Sequence, residues 1–369
     1  MAKPASFDRS PLYLMIVLLI IGIIMLLSTS SVVGYANFHD PYYHIKRHII
    51  FLLVGCVAFW IGFKIPHHVY RKAIVPGMAS SLLLLALTLV PKIGVQLGGA
   101  NRWLNLGLFQ MQPVEIVKFF TIAFVATSLH NKKGAIRSLK KGLCPLLFVV
   151  VLPLLLLIKQ PDLGNTILVS NIVFILLFLG GAKLRHIGSI IGLGLLAVLG
   201  SIIKHPYQLG RVYTFLFPWR DPLGKSYHII QSFLAIGSGG FLGLGIGQSK
   251  LKYFYLPLHY SDFIFSIICE EGGFLLASTV IILFGILFYR GIMIAYYSRQ
   301  AFSFYLGVGL TLLLVLQAII NMGVAIGLFP VKGVPLTFIS FGGTSLIMSM
   351  FYVGVLLNIS KLSPKEDVS

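Results

Sequence analysis

Asp262 stands at the head of the apolar run Phe263–Tyr289, in a chain of 369 residues that holds only 10 Asp and Glu. A carboxylate in that position has two uses. It caps the free N–H groups of a helix start and complements the helix dipole, or it faces a cavity, where it is available for proton transfer or cation binding. At 100° per residue Asp262, Ser266, Cys269 and Gly273 share one helical face, and a small polar stripe beneath the carboxylate favours the cavity. Glu270 and Glu271 follow about 12 Å deeper at 1.5 Å per residue. Carboxylates at such a depth in a membrane helix are costly, and are usually paired or functional.

A second charged cluster is Glu115 with Lys118, three residues apart and so neighbours on one helix face. Lys118 lies about 9 Å from the start of its apolar run, a depth that matches Glu270. This match predicts a Lys118–Glu270 contact with Glu115 beside it, either as an ion pair joining two helices or as part of a substrate site. Between about 204 and 261 the chain carries Lys204, Arg211, Arg220, Lys225, Lys250 and Lys252 against Asp221 alone. Either a phosphate-bearing ligand or anionic headgroups would account for that excess. The glycines at 237, 239, 240, 243, 245 and 247 match neither GxGxxG nor GxxxxGK[ST], so they read as backbone bends rather than a nucleotide loop. Tyr227, Ile230 and Leu234 suit a short amphipathic helix, and Gly342 with Gly343 suits close helix approach or a helix break.

The elements that position these residues follow from composition. With 57% hydrophobic and 11% charged residues the chain is excluded from the water-soluble class, where about 25% charged is usual. Continuous apolar runs also exclude a membrane β-barrel, whose strands alternate. The runs predict an all-α polytopic membrane protein with ten transmembrane helices, at about 12–34, 48–64, 72–91, 112–130, 142–158, 162–182, 185–203, 262–289, 303–329 and 334–358. Residues 1–369 read as a single integral membrane domain. Residues about 92–111 are expected to be a partly buried, non-helical approach to the fourth span, since irregular backbone at membrane depth must be covered. Sixteen Lys and Arg fall on one set of connecting segments and six on the other short loops, which predicts both termini cytoplasmic and one long extracytoplasmic loop, 204–261, between helices 7 and 8. The net charge of +19 is explained by that bias, without nucleic acid. Cys56, Cys144 and Cys269 have neither disulfide nor zinc spacing. The first run is too long for a signal-peptide core and is expected to remain as a helix.

Five stretches resemble the SEDS family (shape, elongation, division and sporulation), represented by RodA and FtsW. They are NRWLNLGLFQMQPVEIVK from Asn101, KQPDLGNTILV from Lys159, SYHIIQSFLAIGSGGFLGLGIGQS from Ser226, YLPLHYSDFIFSIICEEGG from Tyr255 and PVKGVPLTFISFGGTSL from Pro330. The resemblance implies ten membrane helices in the bacterial cytoplasmic membrane. It also implies an extracytoplasmic glycosyltransferase that polymerises lipid II, the undecaprenyl-pyrophosphate-linked disaccharide peptide, for elongation or division. Its partners would be a class B penicillin-binding transpeptidase and other elongation or division proteins. The family's catalytic aspartate maps onto Asp262, while Leu258 and Tyr260 depart from the usual Glu and His of that motif. Its Arg, Glu and Lys around the fourth span map onto Arg102, Glu115 and Lys118. DPYYHIKRH and the KG at Lys332 lean towards FtsW.

The mechanism expected on that basis is a single inverting displacement, with Asp262 as general base. Arg102, Arg211, Lys118 and Glu115 would bind substrate, Glu270 and Ser266 would support the site from behind, and Mg²⁺ or Mn²⁺ would bridge pyrophosphate and Asp262. A lipid II flippase and a non-catalytic scaffold for a transpeptidase are the competing functions.

Overall fold

The computed structural model describes residues 8–97, 100–105, 107, 109–132, 134–204, 206–224, 226–251, 262–331 and 333–361. In chain order the helices are α1 (Ser10–Phe38), α2 (Tyr43–Lys64), α3 (His67–Leu87), α4 (Val114–Asn131), α5 (Cys144–Lys159), α6 (Leu163–Leu179), α7 (Leu184–Lys204), α8 (Pro206–Leu216), α9 (Tyr227–Gly239), α10 (Ile264–Tyr296), α11 (Ala301–Ala325) and α12 (Gly343–Ser360). Between α3 and α4 lies a small antiparallel sheet of β1 (Gly94–Leu97), β2 (Ala100–Asn105) and β3 (Gln110–Met111), paired in that order. It fills the stretch expected to be non-helical. A 3₁₀ turn, Ala135–Arg137, and a π-turn, Leu139–Leu143, precede α5.

The protein is a polytopic membrane protein, all-α apart from that sheet. Among the described residues eight helices are long and apolar enough to cross a bilayer: α1, α2, α3, α5 with its π-turn, α7, α10, α11 and α12. The 17-residue α6 is shorter, and the 18-residue α4 carries Glu115 and Lys118. Each of the ten expected spans falls on one of these ten helices.

Contacts at their ends show how the helices alternate. Asn358 Nδ2 donates to Phe63 O at 2.8 Å, placing the end of α12 by the end of α2. Gln160 Nε2 donates to Leu85 O at 2.9 Å, placing the end of α5 by the end of α3. One end of the bundle thus gathers basic residues, and the other carries Asp262. The apolar helix α11 is central, with 72% of its most apolar stretch buried, whereas α7 is peripheral with 11%. Small residues set the close approaches. Gly62 lies on the backbone of Phe351 and Gly354 on that of Phe59, joining α2 to α12, while Gly309 of α11 lies on Ile122 of α4. A larger side chain at any of these would separate the helices.

Of residues 204–261, expected as one long loop, the described part contains two helices, and α9 with the segment after it packs against α10. After α8 and a 3₁₀ turn at Pro218–Arg220, α9 runs beside α10, with Ser232 Oγ 2.6 Å from Ser266 Oγ. The small stripe below Asp262 therefore receives α9 rather than opening onto a cavity: Ser266 is fully buried and Gly239 packs on the Cys269 carbonyl. Ile229 and Ile230 of α9 are buried as well, so this helix packs inward instead of lying open on a surface.

Beyond Gly239 the chain doubles back and shares backbone hydrogen bonds with α10. Leu244 N and Gly245 N donate to Glu270 O and Glu271 O at 2.9 and 3.0 Å, and Phe274 N donates to Gly240 O at 2.9 Å. To allow this, α10 breaks at Gly273, whose φ of 63° lies in the left-handed region and where a Cβ would meet the backbone of Phe241 and Gly243. Gly273→Ala is expected to destabilise the protein by about 1–3 kcal/mol, read as a lower melting temperature in detergent. An unchanged melting temperature would mean that the break tolerates a side chain.

The last span begins later than expected, at Gly343 rather than 334. Pro330 and Pro335 lack backbone donors, and residues 333–342 instead form a non-helical strap against α11, where Asn321 Nδ2 donates to Val334 O and Gln317 Nε2 to Pro335 O.

Candidate active site

At the Asp262 end, a cavity of about 90 Å³ lies between α6, α7, α8, β2 and the strap. Arg102 and Arg211 both line it, as do Asp162 and Gln208. Asp262 is half-buried in the turn just before α10, whose start has no side-chain cap. Its backbone carbonyl accepts from Asn321 Nδ2 at 3.0 Å, and the same amide grips Val334 of the strap. Gly333 sits between the two charged groups. A Cβ there would lie 3.5 Å from Asp262 Oδ2 and 3.7 Å from Arg102 Nη1, so both charged groups come close to this one position of the strap.

Arg102 is held from behind. Its Nη2 donates to Pro161 O at 2.6 Å and its Nε lies 3.7 Å from Asp162 Oδ2. Asp162 is fixed in turn as the N-cap of α6, accepting from Asn165 N at 3.3 Å and Asn165 Nδ2 at 2.9 Å. The cavity thus holds a guanidinium of set direction, as anion recognition requires. Two buried donors remain without a hydrogen-bond partner among the described residues, Arg102 Nε and Gln208 Nε2. Buried donors of that kind are costly unless a ligand satisfies them.

Asp162 and Gln208 were not singled out from the sequence. Asp162 had a signal, since Asp-x-x-Asn before an apolar run is a helix-start pattern. Gln208 had none, because its place depends on α8 folding back under α7, where Ser201 Oγ meets Gln208 Oε1 at 3.1 Å. A smaller cavity of about 60 Å³, lined by Phe215, Ile229, Phe233 and Phe329, shares Val331 with the first. An apolar extension therefore adjoins the cationic one.

Other expected site residues lie elsewhere. Lys118 and Glu115 do not line the cavity; their side chains are 0% and 2% exposed, with Lys118 Nζ 2.7 Å from Glu115 Oε1 and 3.0 Å from Gln317 Oε1. The expected Lys118–Glu270 pairing is not formed. Matching depth says nothing about lateral neighbours, and α4 packs on α11, not α10. Glu270 instead accepts from Ser249 Oγ and Lys250 N, and Glu271 from Ser28 Oγ at 2.6 Å and Ser249 N at 3.2 Å. The two glutamates thus hold the returning segment before the chain reaches Asp262. Arg220 donates to Tyr213 Oη and stacks on Phe217, away from the cavity, and the side chain of Lys250 is exposed. Lys225, Lys252, Leu258, Tyr260 and Lys332 lie outside the described residues.

Comparison with known proteins accords with this arrangement. A family model described as a cell cycle protein, of the FtsW, RodA and SpoVE type, matches residues 8–365. The probable peptidoglycan glycosyltransferase FtsW of Trichlorobacter lovleyi is 42% identical over 366 residues, covering 98% of this chain and 95% of its own. Stage V sporulation protein E of Bacillus subtilis is 37% identical over 361 residues, covering 98% and 99%. Among solved structures, a chain from work on the structural coordination of polymerization and crosslinking by a peptidoglycan synthase complex matches with a TM-score of 0.78 at 29% identity, covering 96% of this chain and 98% of that one. With its full length matched in sequence and fold, and its sheet, strap and aspartate assembled from the resembling stretches, the chain belongs to the FtsW/RodA/SpoVE family of cell cycle proteins, the SEDS family.

Proposed function

We propose that this multi-pass protein of the bacterial cytoplasmic membrane is a peptidoglycan glycosyltransferase, polymerising lipid II into β-1,4 glycan strands. The observation that carries the mechanism is that Asp262 and Arg102 both lie close to Gly333, at the edge of a cavity lined by Arg102 and Arg211. In this reading the chain is a single membrane domain of ten spans. Both termini are cytoplasmic and the Asp262 end faces outward, which puts the site on the side where the glycan is built. A class B transpeptidase is the partner that would crosslink the product.

Lipid II carries an α-linked pyrophosphate and the product linkage is β, so one displacement with inversion suffices. Asp262 takes the proton of the acceptor 4-hydroxyl as that oxygen bonds to the donor anomeric carbon, and undecaprenyl pyrophosphate leaves. Proton transfer needs hydrogen-bond reach of about 3 Å. Arg102, oriented by Asp162, and Arg211 hold the pyrophosphate and offset the charge it gains. Gln208 Nε2, a buried donor without a hydrogen-bond partner among the described residues, is available for its oxygens. The adjoining apolar cavity would take the first isoprene units. Glu115 and Lys118 act at one remove, through Gln317 and the strap.

Among the described residues no three His, Cys, Asp or Glu side chains converge. Magnesium is commonly held by one or two carboxylates together with substrate phosphates, and Asp262 is a donor of that kind. When bound, Mg²⁺ or Mn²⁺ would neutralise leaving-group charge.

The function is tested with purified protein, lipid II and a divalent salt, with products resolved by gel. Glycan ladders are expected, lost with a chelator and restored by Mg²⁺ or Mn²⁺. Lipid II translocation in vesicles without polymer would point to the flippase instead. In the same assay Arg211→Ala is expected to cost roughly 10- to 100-fold in kcat/KM, the size of a charge-assisted hydrogen bond of about 1.5–3 kcal/mol. Lys250→Ala, whose side chain is exposed and whose backbone N–H stays on Glu270, is expected to change little. Equal small effects at both positions would leave the headgroup-contact explanation of the loop cations standing.

A further inference from the structure

The end of the bundle opposite Asp262 carries a second, widely open concavity of about 620 Å³, where the turns before α5 meet the start of α7. Its wall holds Arg137, Lys140, Lys141, Lys183 and His186, with Ser138 between them and no carboxylate among the described lining residues.

Several other basic side chains at this end are engaged. Arg71 donates to Asn131 Oδ1, Lys64 lies over the Trp60 ring, Lys361 reaches Phe63 O at 3.4 Å and Arg290 lies 4.0 Å from Asp8. The four Lys and Arg of the concavity have no such partner among the described residues, and His186 Nδ1 is buried without a hydrogen-bond partner. Four like charges brought to one hollow repel each other, and an anion near it would offset that repulsion.

The hollow is also preorganised. Ser138 Oγ accepts from Lys141 N at 3.5 Å at the head of the π-turn. Gly142 packs on the backbone of Ala135, and Ile136 beneath is 1% exposed. The turn that carries these cations therefore has its own buried anchor.

The neighbouring surface says which anion. Leu139 is 43% exposed, Phe178 55% and Leu184 68%, and α7 continues as an exposed apolar face through Leu193, Leu196 and Ile203. Cations at the ends of helices that cross a bilayer sit at phosphate depth, and an apolar wall running from them along a span matches an acyl chain. A soluble phosphate has no use for that wall.

We propose that this hollow binds the headgroup of an anionic phospholipid, with the acyl chains along α7, as a site separate from the Asp262 cavity. Since α7 also forms one wall of that cavity through Val198 and Ile202, a lipid held at its start would steady a helix that otherwise has few buried side chains.

Native mass spectrometry of the full-length protein with added phosphatidylglycerol, and with phosphatidylcholine for comparison, tests the proposal. Arg137→Gln, Lys140→Gln and Lys183→Gln combined are expected to weaken phosphatidylglycerol retention roughly 100-fold, at about 1 kcal/mol per cation near a membrane surface. A matched variant at the other end, Lys46→Gln, Arg47→Gln and Lys92→Gln combined, is expected to retain it as the unaltered protein does. These side chains are at or near the surface, so both variants should fold, and melting in phosphatidylcholine nanodiscs checks it. Equal losses in the two variants would reduce the effect to overall charge and overturn the site. Inorganic phosphate that stabilises the protein in phosphatidylcholine nanodiscs as well as phosphatidylglycerol does would overturn the lipid assignment in favour of a soluble anion.

Discussion

Asp262→Asn is expected to lower lipid II polymerisation by about 10²- to 10⁴-fold, the range for loss of a positioned general base, while leaving melting temperature nearly unchanged. The second half of that expectation comes from how the residue is held. Asn321 grips Asp262 through its backbone carbonyl, and α10 starts at Phe263 without a side-chain cap. An amide of the same shape keeps both arrangements and still fits beside Gly333, but it accepts no proton. Binding of lipid II should fall far less than turnover, because Arg102 and Arg211 are untouched. More than half of the wild-type rate in the variant would remove Asp262 from the role of base. Loss of rate together with loss of folded protein would show instead that the carboxylate is structural.

The largest effect on stability is expected from Lys118→Met, which leaves the Glu115 carboxylate buried without its ammonium. Breaking a buried pair from one side costs roughly 3–5 kcal/mol. Combined Lys118→Met and Glu115→Gln should recover much of the loss, since both charges then disappear, and a denaturation series on the four proteins gives the coupling. Glu115 keeps a second tie in either case, as its backbone carbonyl accepts from Tyr352 Oη at 2.7 Å. Lys118→Met with Glu270→Gln, in contrast, should be additive, because Glu270 is bound to Ser249 and Lys250. Coupling there and none to Glu115 would overturn the pairing. Gln317 links Lys118 to Pro335 and Ser345, so activity is expected to fall with stability in the single variant.

Long apolar runs made the polytopic helical fold legible, since a span is defined by its own composition, and among the described residues eight helices are long and apolar enough to cross a bilayer. Gly94, Gly98, Gly99, Asn101 and Arg102 likewise marked a non-helical stretch, and Arg102 and Arg211 proved to share one cavity. What stayed hidden depends on lateral placement. The depth of Lys118 is a property of α4 alone, but its neighbour Gln317 is chosen by which helix packs alongside. The segment after Gly239 is bound to α10 through backbone atoms, which have no residue code, so its glycines showed only that the chain bends. Glu270 and Glu271 were legible as costly. That they would be satisfied by Ser28, Ser249 and a backbone amide required α1 and α10 to be seen together.

The doubled-back segment also sets an order of assembly. Its amides at Leu244, Gly245, Ser249 and Lys250 have their acceptors on α10, which the ribosome makes later, and Glu271 needs Ser28 of α1, made first. Until α10 is inserted, the amides of Leu244, Gly245, Ser249 and Lys250 lack their acceptors, and within a hydrocarbon layer each unsatisfied group costs several kcal/mol. The segment must therefore wait at the aqueous surface of the membrane or within the insertion machinery, and enter with α10. The site is then completed only when the chain is nearly finished, so a nascent chain stalled before α11, which supplies Asn321, would carry Asp262 but no working centre.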